Sequence, residues 1–385
     1  MLRAAATLFL VLILTAGLGA LLLHEADIAA PRWSREAPGI SQTTVSEARI
    51  TREGWLSPGR DRIWVRTRIG LKSPLEAVVL VDLEKKETLC LLRDGEPVVW
   101  LSDQEVLVVS EGSKQSLLKR LWRAFGGHFP MDHFTRFHRL HVETGALTPL
   151  GEIQSAISMT FCSVSPDHLH AVACWGPTQG REIDLASGAV SSPVGEKYFW
   201  SPCFISNDQY LFVGETAIQS RRLGMDRAER FSQPLLKEIR DAIKMKGAPS
   251  IEICGRIHGK VYVVDHVPDS HSDRLLSLDE RTNLLLEVTR LEPSRSLPSF
   301  SEDALYVVYQ GNPFDRTWDT VYFQEVLEGA QAQVLIEGVS GQVSPADPVF
   351  WKEDKILYVH RGTEIRSLSV NGGDPELHWP QALLP

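Results

Sequence analysis

The chain has 385 residues, 43% hydrophobic and 23% charged, a balance that belongs to folded globular proteins and excludes disordered, collagen-like and small disulfide-stapled classes. Its formal net charge of −9, from 40 basic and 49 acidic residues, argues against nucleic acid as the main partner.

First in chain order comes an uncharged run from Ala4 to Leu23, preceded by Arg3 and followed by His24, Glu25 and Asp27. As a helix the run would rise about 30 Å, the thickness of a bilayer's hydrocarbon core. Positive charge ahead of it places the remaining chain outside the cytoplasm. Residues 1–23 therefore read as an N-terminal transmembrane helix, a membrane anchor. A cleaved signal peptide is the competing reading, against which the run exceeds the usual apolar core of about 7–15 residues. Residues 24–47 contain Pro31, Pro38, scattered charges and no apolar period, the pattern of an extracytoplasmic linker. The expected address is membrane-anchored and extracytoplasmic, on the periplasmic face of the inner membrane if the cell is bacterial.

Residues 48–385 are dominated by short β-type runs separated by turn residues. One phrase recurs: an aromatic residue, a Ser, a turn with Asp or Pro, then a strand of β-branched and aromatic residues. It reads WLSPGRDRIWV from Trp55, WLSDQEVLVV from Trp100, FCSVSPDHLHAVA from Phe161, FISNDQYLFV from Phe204, FSEDALYVVY from Phe300 and, more weakly, WKEDKILYV from Trp351. CGRIHGKVYVV from Cys254 is a degenerate seventh copy. A second phrase follows most copies, a strand ending in a polar turn and a further strand, as in RLHVETGALTPLG and REIDLASGAVSSPVG. Gly145 and Gly188 supply the positive φ that tight hairpins need. Two hairpins per unit make a four-stranded sheet, and a spacing of about 49 residues is close to that of propeller blades. Such sheets bury both faces only by stacking radially, with the repeated aromatics between them.

These phrases resemble the TolB-like, Pro-Asp (WD40-like) family of β-propellers, whose blades carry aromatic-x-Ser-Pro-Asp-Gly before an apolar strand. Ser165-Pro166-Asp167 is the nearest copy; Ser57-Pro58-Gly59 with Asp61, Ser102-Asp103, Ser206-Asn207-Asp208 and Ser301-Glu302-Asp303 are looser. The resemblance covers roughly residues 48–385. The expected fold class is all-β: a six- or seven-bladed β-propeller of four-stranded blades, preceded by the transmembrane helix and carrying two short helical insertions. A two-sheet sandwich or several small all-β domains are the structural alternative.

The helical insertions are read near 113–127 and 232–247. In the first, Leu117, Leu118, Leu121, Trp122 and Phe125 share a helical face, with Lys114, Lys119, Arg120 and Arg123 mostly opposite, a basic docking surface for an anionic partner or lipid headgroups. In the second, Ser232 reads as an N-cap, Pro234 lies in the first turn and Gly247 is the stop.

Five cysteines (Cys90, Cys162, Cys174, Cys203, Cys254) with no Cys-x-x-Cys form neither a disulfide framework nor a common zinc motif, and read as free and mostly buried. Gly-x-Ser-x-Gly, Walker and Gly-x-Gly-x-x-Gly motifs are missing, so no catalytic residue is assigned. His128, His133, His138 and His141 form a histidine-rich stretch able to hold zinc, though their spacing matches no known zinc motif. DHVPDSHSD offers Asp265, His266, Asp269, His271 and Asp273 as calcium or zinc donors on an expected loop. NPFDRTWD places Asn312, Asp315, Arg316, Trp318 and Asp319 together as a loop contact patch. No cofactor is required, with Zn or Ca the only candidates. The expected function is that of a membrane-tethered extracytoplasmic propeller that binds or scaffolds a protein partner of the cell envelope. The alternative is a metal-assisted propeller hydrolase or lyase acting on a carbohydrate or lactone.

Overall fold

The computed structural model describes residues 30–35, 45–50, 55–69, 75–114, 132–155, 159–191, 194, 198–225, 227–235, 251–266, 272–292, 297–311, 320–336 and 348–380. Their strands pair antiparallel in seven sheets, each made from consecutive chain segments. Blade 1 holds β1 (Arg32–Ser34), β2 (Val45–Arg49), β3 (Arg62–Ile69), β4 (Leu75–Asp82) and β5 (Glu87–Arg93). Blade 2 holds β6 (Glu96–Trp100), β7 (Glu105–Lys114), β8 (Asp132–His141) and β9 (Leu147–Ser155). Blade 3 holds β10 (Phe161–Val164), β11 (His170–Trp175) and β12 (Gln179–Asp184), with Val190 bridged to Ile183 in the fourth position. Blade 4 holds β13 (Trp200–Phe204), β14 (Gln209–Val213), β15 (Ile218–Arg222) and β16 (Glu229–Arg230). Blade 5 holds β17 (Ile251–Ile257), β18 (Lys260–Asp265), β19 (Asp273–Asp279) and β20 (Leu284–Leu291). Blade 6 holds β21 (Ser299–Phe300), β22 (Tyr306–Gly311), β23 (Thr320–Glu325) and β24 (Gln333–Ile336). Blade 7 holds β25 (Val349–Phe350), β26 (Lys355–His360), β27 (Glu364–Ser369) and β28 (Glu376–Trp379). Of the two blade counts expected, the structure has seven.

All seven copies of the recurring phrase fall on the hairpin between a blade's first and second strands, counted in blade 1 from β2, since β1 lies outside on β5. In blade 3, Ser165 is fully buried; its Oγ accepts from His170 N at 3.0 Å and donates to Asp167 at 2.6 Å, while Asp167 accepts from Leu169 N at 3.1 Å. Ser301 and Asp303 repeat this in blade 6 at 3.0, 2.6 and 3.0 Å. One hydroxyl thus satisfies the backbone where the chain reverses, which is why Ser and Asp recur. The degenerate copy in blade 5 is a two-residue hairpin, Ile257 pairing Lys260 across His258 (φ 49°) and Gly259 (φ 75°).

Aromatic residues fill the seams between blades. Trp100 donates its indole N–H to Trp55 O at 2.9 Å and lies 6.3 Å from Trp64 between blades 1 and 2. Trp175 meets Phe137 edge-on at 6.3 Å between blades 2 and 3. Phe199 stacks on Phe212 at 4.5 Å between blades 3 and 4, and Tyr262 meets Phe300 at 4.7 Å between blades 5 and 6.

Blades 7 and 1 close the ring by side chains: among the described residues no strand crosses from one end of the chain into the other's sheet. Trp351 and Trp379 enter one core with Val65, Val79 and Leu91. Across the seam Trp379 donates to Thr88 at 2.8 Å, Ala48 N donates to Gly362 O at 2.6 Å, and Lys86 pairs with Glu376 at 2.9 Å. His378 faces Leu83 O through Nδ1 at 3.0 Å, so Nδ1 carries the proton and Nε2 accepts from Ser367 at 2.8 Å. Burial lowers the pKa of this imidazole and keeps it neutral.

The expected helices are corrected. Among the described residues there is no α-helix, only a 3-10 turn at Gly176–Thr178, and no helix long and apolar enough to cross a membrane. Ser113 and Lys114, read as the start of the first insertion helix, instead pair with His133 and Asp132 in the long β7–β8 hairpin. Ser232, read as an N-cap, accepts from Ile218 N at 3.0 Å, and Leu235 N reaches back to Thr216 O at 2.8 Å. The described residues 231–235 are thus tied to blade 4 as a bend and form no helical turn. The N-terminal run at 1–23 and residues 115–131 and 236–250 lie outside the described residues. Within the 24–47 segment, β1 pairs with β5 as a fifth, outermost strand of blade 1.

Candidate functional site

Antiparallel order puts the first and third connections of every blade at one end and the second and fourth at the other. The first-connection turns touch their neighbours: Arg60 donates to Trp351 O at 3.1 Å, His258 meets Glu302 O at 2.8 Å, and His168 meets Leu101 O. They form one turn face, held by the Ser–Asp hairpins. The Ser165 hydroxyl holds the Asp167 carboxyl below its usual pKa, and the Ser301 hydroxyl does the same for Asp303. These motifs therefore fold the chain. The opposite end is the loop face.

The loop face is where the strands flanking the expected functional segments end. Lys114 pairs with Asp132 there, and Gly311 with Thr320. Asn312, Asp315, Arg316, Trp318 and Asp319, together with Lys119, Arg120, Arg123 and His128, lie outside the described residues. His133, His138 and His141 all sit on β8, where the strand holds them apart. His138 points to the opposite side of the sheet from His133 and His141, and those two are separated by about 26 Å of strand. His138 is buried with Nε2 at 3.4 Å from Ser110 Oγ, and burial lowers its pKa. Among the described residues no three His, Cys, Asp or Glu side chains are placed to hold one ion. None of the five cysteines is in a disulfide, and burial pushes the Cys90 and Cys203 thiols up to about 12.

Two groups of side chains meet at the loop face. At the end of blade 5, Asp265 is buried and receives Arg274 Nε at 2.8 Å, and Asp273 is buried and bonds His266 Nδ1 at 2.9 Å. Burial opposes charging His266, but the hydrogen bond to Asp273 and the charges of Asp273, Glu252 and Asp265 outweigh it and raise its pKa. Glu252, on β17, has its pKa raised by burial, an effect the nearby His266 partly offsets. Asp265, His266 and Asp273 are thus tied to one another and to Arg274, while Asp269 and His271 lie outside the described residues.

The second group lines a cleft of about 340 Å³ between blades 1 and 2, bounded by Arg66, Glu76, Asp94, Glu96 and Glu111. Arg66 pairs with Glu96 at 2.5 Å, Arg68 grips Glu76 through Nε and Nη2 at 3.0 and 2.7 Å, and Arg32 reaches Asp94 at 2.6 Å. Arg49 lies opposite Arg66 across the β2–β3 ladder, beside a smaller recess of about 80 Å³. Three guanidiniums thus answer three of the four carboxylates, and Glu111 accepts from Thr135 Oγ1 at 3.2 Å and Met159 N at 2.6 Å, so the rim is a ring of paired charges. None of these side chains was singled out in the sequence. The available signal was Arg66 and Arg68 two apart on a strand, which shares a face but does not say what lies across the seam.

The fold and this face define a seven-bladed β-propeller with a paired, ionic loop face. No family model matches the chain, and no curated protein matches it in sequence. Solved structures do match. An oligogalacturonate lyase in complex with manganese aligns with a TM-score of 0.55 at 10% identity, over 92% of this chain and 96% of that one. The oligogalacturonate lyase of Vibrio parahaemolyticus aligns at 0.53 and 10%, over 92% and 97%. TolB from Acinetobacter baumannii is also among the matches, at 0.41 and 10%, over 78% and 77%. At these identities the likeness is one of fold.

Proposed function

We propose that the protein is a binding propeller that recognises a protein partner through its loop face. The cleft between blades 1 and 2 supports this most directly: it is framed by the ion pairs Arg66–Glu96 and Arg68–Glu76, which can be exchanged for the charged side chains of a partner. On this reading blade stacking supplies a rigid support, and the rim charges supply orientation and encounter rate. An extracytoplasmic address in the cell envelope rests on the charge asymmetry around the apolar run at 4–23. Crosslinking the tagged protein in its native host, beside a Glu96→Lys, Glu111→Lys variant, tests the reading. A stoichiometric partner weakened by the variant supports it; a partner profile that charge reversal leaves unchanged overturns the role of the cleft.

A second reading is kept because two oligogalacturonate lyases align over nearly their whole length. It makes the protein a metal-assisted lyase or hydrolase acting on a carbohydrate. Formation of unsaturated product from oligogalacturonate with added manganese would support it, and metal-independent inactivity across acidic oligosaccharides would remove it.

A further inference from the structure

The outer rim of blade 1 shows what a propeller seam can hold. There β1 lies antiparallel on β5, with Trp33 opposite Leu92, and its indole turns into the seam with blade 2. It rests on the turn between the last two strands of blade 2, so closely that a Cβ on Gly145 would fall 2.2 Å from the ring. The seam between blades 5 and 6 has the same parts. Counted through the pairing from Asp82 and Asp279, Leu92 of β5 corresponds to Thr289 of β20. Gly145 and Gly329 both stand four residues beyond the end of a third strand, with φ of 72° and 76°. Here no strand lies on β20 among the described residues, nothing lies within 4 Å of a Cβ built on Gly329, and a cleft of about 350 Å³ runs along 287–290 and 328–330.

Exposed apolar side chains flank this cleft, whose own lining is 287–290 and 328–330. Leu284 and Leu286 lie on the face of β20 that meets blade 6, as Thr289 does, and Val334 of β24 shares the face of Tyr322 toward blade 5. With Leu327 in the facing turn they make four of the seven large hydrophobic residues exposed by more than a third among those described. Glu287 is paired with Arg290 at 2.9 Å and lies opposite Leu276 on the blade 4 side of β20, so the cleft's carboxylate on the blade 6 side is Glu328, exposed in the facing turn.

We propose that the blade 5–6 seam is a docking groove for an extended strand of a partner protein that carries an aromatic side chain next to a basic one. The strand adds to the open edge of β20, its aromatic ring fills the space over Gly329 as Trp33 fills that over Gly145, and its basic group meets Glu328. This rests on the binding reading above and adds to it a second surface and the partner's chemistry.

The probe is a fluorescein-labelled peptide with the sequence of residues 30–36, Ala-Pro-Arg-Trp-Ser-Arg-Glu, added to the full chain and followed by anisotropy. Saturable 1:1 binding is expected, weakened about tenfold by Trp→Ala in the peptide and about tenfold by Leu286→Glu or Glu328→Lys in the protein. A photo-crosslinker in place of the peptide's Trp should mark the 327–330 turn. Absence of saturable binding, or crosslinks on the 142–146 turn by exchange with β1, overturns the proposal. So does concentration-dependent self-association abolished by Leu286→Glu, which would make a second copy the occupant. If the peptide fails while native-host crosslinking still yields a partner sensitive to Glu96→Lys, Glu111→Lys, this groove falls and the binding reading stands.

Discussion

A serine that accepts one backbone N–H and orients one aspartate is the smallest unit on which this fold depends. Ser165→Ala removes three hydrogen bonds around a fully buried hydroxyl and leaves the His170 N–H without its side-chain partner. A loss of about 1–3 kcal/mol is expected, measured as a lower urea midpoint at unchanged slope. The His266–Asp273 pair makes a pH-dependent contribution. Because the folded pKa of His266 is raised, its stabilisation is fully present below the ordinary value of 6.5 and is lost as pH rises through the folded value. The melting-temperature difference between the native chain and His266→Gln should therefore be larger near pH 6 than near pH 9. The two residues lie seven apart in one segment, so their hairpin was legible in the sequence. Their mutual bond was not, since it depends on how far the β18–β19 ladder runs.

Among elements, the hairpins were legible and the single strand β1 was not. Each hairpin announces itself through alternating apolar residues and a turn that needs Gly, Asn or a Ser–Asp pair. β1 is three residues long, follows a proline and has no alternation to read; it exists because the edge of β5 and the space over Gly145 accept it. Gly145→Ala tests this, since the new Cβ would overlap the Trp33 ring in a left-handed backbone conformation. The expected cost is roughly 2 kcal/mol, with a red-shifted Trp33 emission as the indole leaves the seam, read against a Trp33→Phe control. The insertion near 232 shows the opposite failure. Its apolar spacing fits a helix, yet Phe231, Ser232 and Leu235 bond to residues 216 and 218 of blade 4, and the described part of the segment, 231–235, is a bend with no helical turn.

For the whole molecule, stability depends on a closure made without strand exchange. Trp379 is 1% exposed and spans the seam between blades 7 and 1, so Trp379→Ala should cost about 3–5 kcal/mol and speed amide exchange first in β2, β3 and β27. Glu376 adds an acid-sensitive element: Lys86 of blade 1, with Lys355 beside it, holds its carboxyl down to about 2. That contribution is present above the ordinary value of 4.5 and is lost as pH falls toward 2. Solvent screens this exposed pair, so Glu376→Gln should lower acid tolerance only modestly, seen as an acid transition moved to slightly higher pH.

By itself the sequence determined the unit of this protein: two hairpins, an aromatic at the seam, and six or seven repetitions. Turn chemistry and period-two alternation act within some ten residues, where local sterics and backbone hydrogen bonding decide. Only the tertiary structure decided which side chains meet between units. Arg66 against Glu96, Trp33 over Gly145, the open seam above Gly329 and the closure around Trp379 join residues from different blades. Their pairing is set by packing of one sheet on the next, and no local pattern in either sheet encodes its neighbour.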